Sequence, residues 1–169
     1  AALSVCRAVE DITGLKPEIK WPNDVLVHGR KVCGILIENE LKNGACAAVV
    51  GIGINVRINP ADYQDIAGTA TSLENEAGRD ISRVDMVRNL LVNLDALYNR
   101  ADDSDTFIEW REKLVTLGKP VSVMWNDTRL DGIAESVDES GVLEIRTQDG
   151  TLHTVIAGDV TLRQSTSGK

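Results

Sequence analysis

The feature that most constrains this chain is the stretch from Lys20 to Asn55, where a proline-stiffened polar run, a lysine-glycine strand and a glycine-punctuated strand follow one another. Lys20-Trp21-Pro22-Asn23-Asp24 sets a cation, an amide and a carboxylate beside a proline of fixed φ, directly ahead of the apolar run Val25–Val27. Such a loop can hold charged side chains in place. Lys31 follows and leads into Val32-Cys33-Gly34-Ile35-Leu36-Ile37-Glu38, where Gly34 has no side chain to keep a ligand from the backbone. Gly51-Ile52-Gly53-Ile54-Asn55 brings two more glycines and a terminal amide. Taken singly, these features have structural explanations, since turn lysines are mostly solvated and strand glycines mostly mark bulges or tight packing. Together they place three neighbouring strand ends around one small ligand.

The elements around this stretch follow from periodicity. Leu3, Val5, Cys6, Val9 and Ile12 share a helical face over Ala1–Ile12, and Gly14 is its stop. Glu18–Trp21, bracketed by Pro17 and Pro22, reads as extended. Val25–Val27 and Val32–Ile37 form a hairpin through His28-Gly29-Arg30-Lys31, and Asn43-Gly44 turns the chain into Ala45–Ile54, a strand apolar enough to be covered on both faces. These are three antiparallel strands with helices on one side. Asn59–Gly78 is a long loop with a short helix at Ala61–Ile66. Ser82 caps a helix reaching Ala101, with Met86, Val87, Leu90, Leu91, Leu94 and Leu97 facing inward. A second helix, Ser104–Leu117, carries Phe107, Trp110, Leu114 and Leu117 inward to Gly118. Beyond Pro120, turns at Asn126-Asp127, Glu139-Ser140-Gly141 and Asp149-Gly150 punctuate short alternating runs, the pattern of a small β-barrel. The fold class is α+β with a mixed or antiparallel sheet, divided into residues 1–117 and 118–169.

Composition narrows the partners. The net charge of −8 argues against counterion-driven binding of nucleic acid, which needs clustered Lys and Arg. No apolar run approaches the ~18 uncharged residues of a membrane span, and the first residues carry no basic stretch with a cleavage site. Cys6, Cys33 and Cys46 are odd in number and lack metal-ligand spacing, as do His28 and His153, so buried free thiols in a reducing cytoplasm are expected. Self-association through exposed sheet edges is left open.

The order KWPND, short hairpin, RKVCGILIE, GIGINV resembles the biotin protein ligase family, and the resemblance runs on through Ala70-Thr71-Ser72-Leu73, the helices with Trp110, and Gly118–Arg163. It implies part of a class II synthetase-like catalytic domain followed by a small Src-homology-type β-barrel. The implied activity is ATP-dependent formation of biotinyl-adenylate, with transfer of biotin to a lysine of a biotin carboxyl carrier protein. Lys20 would hold ATP phosphate oxygens, while Asn23 and Asp24 would order the phosphate and Mg2+ environment, Asp24 as the metal-side carboxylate or simply as a cap on backbone amides. Lys31 would contact the biotin carboxylate and the reacting phosphate, with the backbone of Gly34, Ile35 and Leu36 lining the biotin pocket. Asn55 would bind the nucleotide side, and Arg57 reads as solvated surface rather than a phosphate ligand. Trp21 reads as packing beneath the loop. The family's Gly-Arg-rich loop over biotin is not among these residues, nor is a helix-turn-helix, so the chain alone is expected to be inactive or nearly so. Lipoate ligases and octanoyl transferases are the same-fold alternative, which KWPND and GIGIN disfavour. A carrier-binding relative without catalysis is the non-enzymatic one.

Overall fold

The computed structural model describes residues 1–42, 45–58, 66, 68–101, 103–125, 128–156 and 158–162. They divide into two compact units, one comprising Ala1–Ile19 and Asn23–Lys113, the other Lys20–Pro22 and Leu114–Lys169.

In the first unit, α1 (Ala2–Thr13) buries Leu3, Val5, Cys6, Ala8 and Val9. It ends at Gly14, whose φ of 75° suits a residue without Cβ and whose N–H donates to the Glu10 carbonyl at 2.8 Å. The sheet has the order β1-β2-β3-β4, with β1 at Glu18–Lys20, β2 at Asp24–Val27, β3 at Arg30–Lys42 and β4 at Ala45–Ile54. It therefore holds one strand more than the sequence pattern suggests, because the extended Glu18–Lys20 segment joins it. The β2–β3 turn places His28 and Gly29 at φ 50° and 75°, as a two-residue hairpin turn with the right twist requires. Ile19, Val25, Val27, Val32 and Cys33 are fully buried, and α1 packs on β2.

The coverage expected of Ala45–Ile54 is not there. Among the described residues β4 is the last strand in the order and pairs only with β3, and Val49 and Val50 stand 59% and 41% exposed although they point to opposite faces. The turn expected at Asn43-Gly44 lies outside the described residues, as does most of the Ala61–Ile66 helix, and Ile66 itself sits in a turn. The expected loop also contains a helix, α2 (Leu73–Ala77), capped by the Ser72 side chain and pinned by buried Leu73. α3 (Arg83–Tyr98) begins at Ser82, whose hydroxyl accepts from the Asp85 N–H, and packs on α1. Only Met86 and Leu97 of its apolar series are buried, while Val87 and Leu91 are more than half exposed. α4 (Ser104–Glu112) is shorter than Ser104–Leu117 and buries none of its residues fully, its Phe107 and Trp110 rings lying 5.9 Å apart.

The second unit is a five-stranded antiparallel sheet of order β8-β7-β6-β5-β9, from β5 (Pro120–Trp125), β6 (Thr128–Val137), β7 (Leu143–Arg146), β8 (Leu152–Val155) and β9 (Asp159–Leu162). The expected barrel is open. Among the described residues, β8 pairs only with β7 and β9 only with β5, so no ladder closes the four-residue end strands on one another. Val121, Val123, Ala134, Leu143, Ile145, Val155 and Val160 form its core. Asn126-Asp127 lies outside the described residues. Trp21, 2% exposed, belongs to this unit: its backbone N–H donates to the Thr116 hydroxyl at 2.9 Å and its indole N–H to the Gly141 carbonyl at 2.8 Å.

Candidate active site

β2 and β3 begin the site. Asp24 lies opposite Gly34 in the ladder, and the Asp24 carboxylate pairs with the Lys31 ammonium at 2.6 Å. The Lys31 side chain keeps 43% of its surface exposed, so a cation with three donors faces outward while one carboxylate fixes its direction. Gly34 is the floor of this pair. A Cβ there would sit 3.1 Å from both Cε and Nζ of Lys31 and 3.8 Å from Asp24 Oδ1. The glycine thus makes room for the ammonium, a more specific reason for its presence than backbone access for a ligand.

Asn23 clamps the next residue of the strand. Its carbonyl accepts from the Ile35 N–H at 3.1 Å and its side-chain amide donates to the Ile35 carbonyl. Ile35 is 5% exposed and Leu36 62%, so the two candidate pocket residues face opposite sides of the strand. Next to them, burial pushes the Cys33 thiol up to about 12, Lys31 opposing the shift and Asp24 adding to it, which leaves an inert core thiol.

Asn55 closes the site from β4. Its N–H donates to the Val32 carbonyl at 2.7 Å, and its side-chain amide donates to the Thr71 carbonyl at 3.2 Å. Arg57 spends its guanidinium on Glu74, at 2.7 Å and 2.9 Å. Lys20 ends β1 and is grouped with Trp21 and Pro22 in the second unit; the peptide bond before Pro22 is cis.

The strap Thr69–Leu73 is the part given no role by the sequence pattern. The Lys31 N–H donates to the Thr69 carbonyl and the Thr71 N–H to the Lys31 carbonyl, both at 2.9 Å, a one-rung parallel bridge. The Leu73 N–H donates to the Asn55 carbonyl at 2.8 Å. One segment therefore grips both Lys31 and Asn55 by their backbones. Its sequence signal is Ser72 as an N-cap with Glu74 and Glu76 behind it in the first turn.

Asp24 is the carboxylate of this site and pairs with Lys31, and among the described residues no three His, Cys, Asp or Glu side chains converge. A cavity of about 560 Å³ bordered by Glu10, Lys16, Glu18, His28 and Lys113 contains none of the candidate residues, and its Lys113 is paired with Glu10 at 2.6 Å.

Two family profiles match the sequence: the biotin/lipoate A/B protein ligase family over residues 1–55 and the biotin protein ligase C-terminal domain over residues 116–163. The bifunctional ligase/repressor BirA of Bacillus subtilis is 31% identical over 167 residues, covering 96% of this chain and 51% of that protein. The biotin–[acetyl-CoA-carboxylase] ligase of Paracoccus denitrificans is 34% identical over 76% of this chain and 56% of its own length. This chain thus spans about half the length of these relatives. A solved structure of the Aquifex aeolicus biotin protein ligase superposes with a TM-score of 0.78 at 30% identity, covering 97% of this chain and 72% of that one. The same protein in complex with biotin and ATP gives 0.81 at 29% identity, over 97% and 69%.

Proposed function

This chain belongs to the biotin protein ligase family, and on that premise we propose that it supplies part of the site at which biotin is activated by ATP and passed to a lysine of a biotin carboxyl carrier protein. The observation that carries this reading is the half-exposed Lys31 ammonium held over Gly34 by Asp24. Activation requires the biotin carboxylate oxygen to attack the α-phosphorus of ATP. A mixed anhydride forms, the bond to the β-phosphate oxygen breaks, and pyrophosphate leaves. Two anions must meet, and a fixed cation offsets their repulsion in a site poor in water. Lys31 is built for that part, exchanging its Asp24 partner for the incoming carboxylate and phosphate oxygens. Lys20 takes further phosphate oxygens, and Asn55 the nucleotide side.

The backbone of Gly34, Ile35 and Leu36 forms one wall for biotin, with Asn23 holding the Ile35 end of that wall through two hydrogen bonds. Magnesium enters as the MgATP substrate with Asp24 as at most one of its ligands, since this ion keeps phosphates and waters in its shell. In the second step the carrier lysine amine attacks the acyl carbon and AMP departs. Residues 1–117 belong to the catalytic half and 118–169 to the terminal module.

Matching of the terminal profile, whose description is specific to biotin protein ligases, favours biotin over lipoate as the acid. The cytoplasm is the proposed compartment, consistent with free buried Cys6 and Cys33. Among the described residues no helix is long and apolar enough to cross a membrane. The charge of −8 supports no nucleic-acid contact through this chain. Biotin-dependent exchange of labelled pyrophosphate into ATP by the full-length protein tests the reading. Exchange driven by lipoate instead of biotin would favour the alternative acid, and absence of ATP binding would favour a non-catalytic relative.

A further inference from the structure

Glu76 lies in α2, away from the residues assigned to substrates, yet its side chain is only 4% exposed. A carboxylate so buried demands compensation, and three groups from two other segments provide it. The Thr71 hydroxyl donates to Oε1 at 2.5 Å, Arg30 Nη2 lies 2.5 Å from the same oxygen, and His28 Nδ1 lies 2.6 Å from Oε2. Burial alone would raise the pKa of this carboxyl. The bonds from Thr71 and His28, with the charge of Arg30, outweigh burial and hold it below the usual carboxylate range.

What these partners have in common is Lys31. His28 lies in the turn ahead of β3 and Arg30 opens β3 directly before Lys31, and Thr71 sits in the strap whose backbone brackets Lys31 and accepts the Asn55 amide. Thr71 is 1% exposed, so its hydroxyl has no bulk water to turn to if the carboxylate is withdrawn.

We propose that Glu76 is a positioning residue of the substrate site, its carboxylate locking the Thr71 hydroxyl and the His28–Arg30 turn so that the strap holds Lys31 and Asn55 in register. This rests on the substrate roles assigned above to Lys31 and Asn55. Glu76 touches no reacting group; it acts by removing the freedom of the two segments that flank Lys31.

The test uses biotin-dependent pyrophosphate exchange by the full-length protein, with KM for ATP and for biotin and the Tm measured for each variant. Glu76→Ala and Thr71→Val are expected to raise both KM values by about 10-fold, the loss that accompanies one buried charge-assisted hydrogen bond, while Thr71→Ser returns them to within about twofold of wild type. If Glu76→Ala does not fold, the nearly isosteric Thr71→Val carries the test. Wild-type KM values in Glu76→Ala and Thr71→Val, with only the Tm lowered, would reduce Glu76 to a structural role and overturn the proposal. So would a Thr71→Ser variant as impaired as Thr71→Val. A wild-type protein without biotin-dependent exchange would instead remove the functional reading itself, and the proposal with it.

Discussion

Gly34 illustrates how a single missing Cβ sets the chemistry of this site. Its neighbour across the gap is the flexible end of Lys31, 3.1 Å from where the Cβ would lie, so Gly34→Ala can be accommodated by moving the ammonium instead of the backbone. The expected outcome is a stability within about 1 kcal/mol of wild type, because no core group is disturbed. Biotin-dependent exchange should nevertheless fall at least about 10-fold, because a displaced cation no longer meets the developing charge. Urea melts beside exchange assays check both halves. Glu76 gives a pH prediction. Its folded pKa is lowered from the ordinary 4.5, so its ionised form stabilises the fold; that contribution is complete above 4.5 and is lost as pH falls through the lowered folded value. The wild-type urea midpoint should therefore fall more steeply toward acid than that of Glu76→Gln, and parallel slopes would contradict the assignment. Lys31, Asp24 and Gly34 were legible in the sequence as a lysine, a carboxylate and a glycine near one turn. That Asp24 pairs with Lys31 above Gly34 was not, because the pairing depends on the β2–β3 register and its bulge after Val25.

At the level of elements, helix ends were readable because their signals are local: Gly14 stops α1 and Ser82 starts α3 through backbone groups close by in sequence. Which face each element buries is a non-local matter, and there the pattern misled. The α3 series Met86, Val87, Leu90, Leu91, Leu94 and Leu97 forms too wide an apolar stripe for one packing partner to cover, so Met86 is 1% exposed and Leu91 58%. Met86→Ala should cost about 2–5 kcal/mol, and Leu91→Ala well under about 1 kcal/mol, in urea unfolding. Equal costs would mean that α3 packs by another face. The open sheet of the second unit was likewise hidden, since turn spacing counts strands but does not say whether the first and last of them meet. Trp21 joins that unit through Thr116, which is fully buried. Thr116→Val leaves the Trp21 N–H without an acceptor and should lower the stability of this unit by about 1–3 kcal/mol, with Thr116→Ser close to wild type.

For the molecule as a whole, the resemblance carried by KWPND, the lysine-glycine strand and GIGIN is joined by two family profiles near the two ends of the chain. The fold agrees with the Aquifex aeolicus ligase over 97% of this chain. What the chain contributes itself is a cation on a glycine floor, an amide clamp on the neighbouring strand, and a strap, buried from Ala70 to Leu73, that grips Lys31 and Asn55 together. Together, on the proposed reading, they form a site where two anions meet. On the same reading, the charge of −8 on this chain would repel an acidic carrier at long range, so the carrier would dock on a locally neutral or basic patch. The most direct test of the central claim is pyrophosphate exchange into ATP by the full-length protein, measured with and without biotin, for wild type and Lys31→Ala. The account predicts exchange that requires biotin and falls by about 100-fold or more in Lys31→Ala. Biotin-dependent exchange that survives undiminished in Lys31→Ala would contradict it.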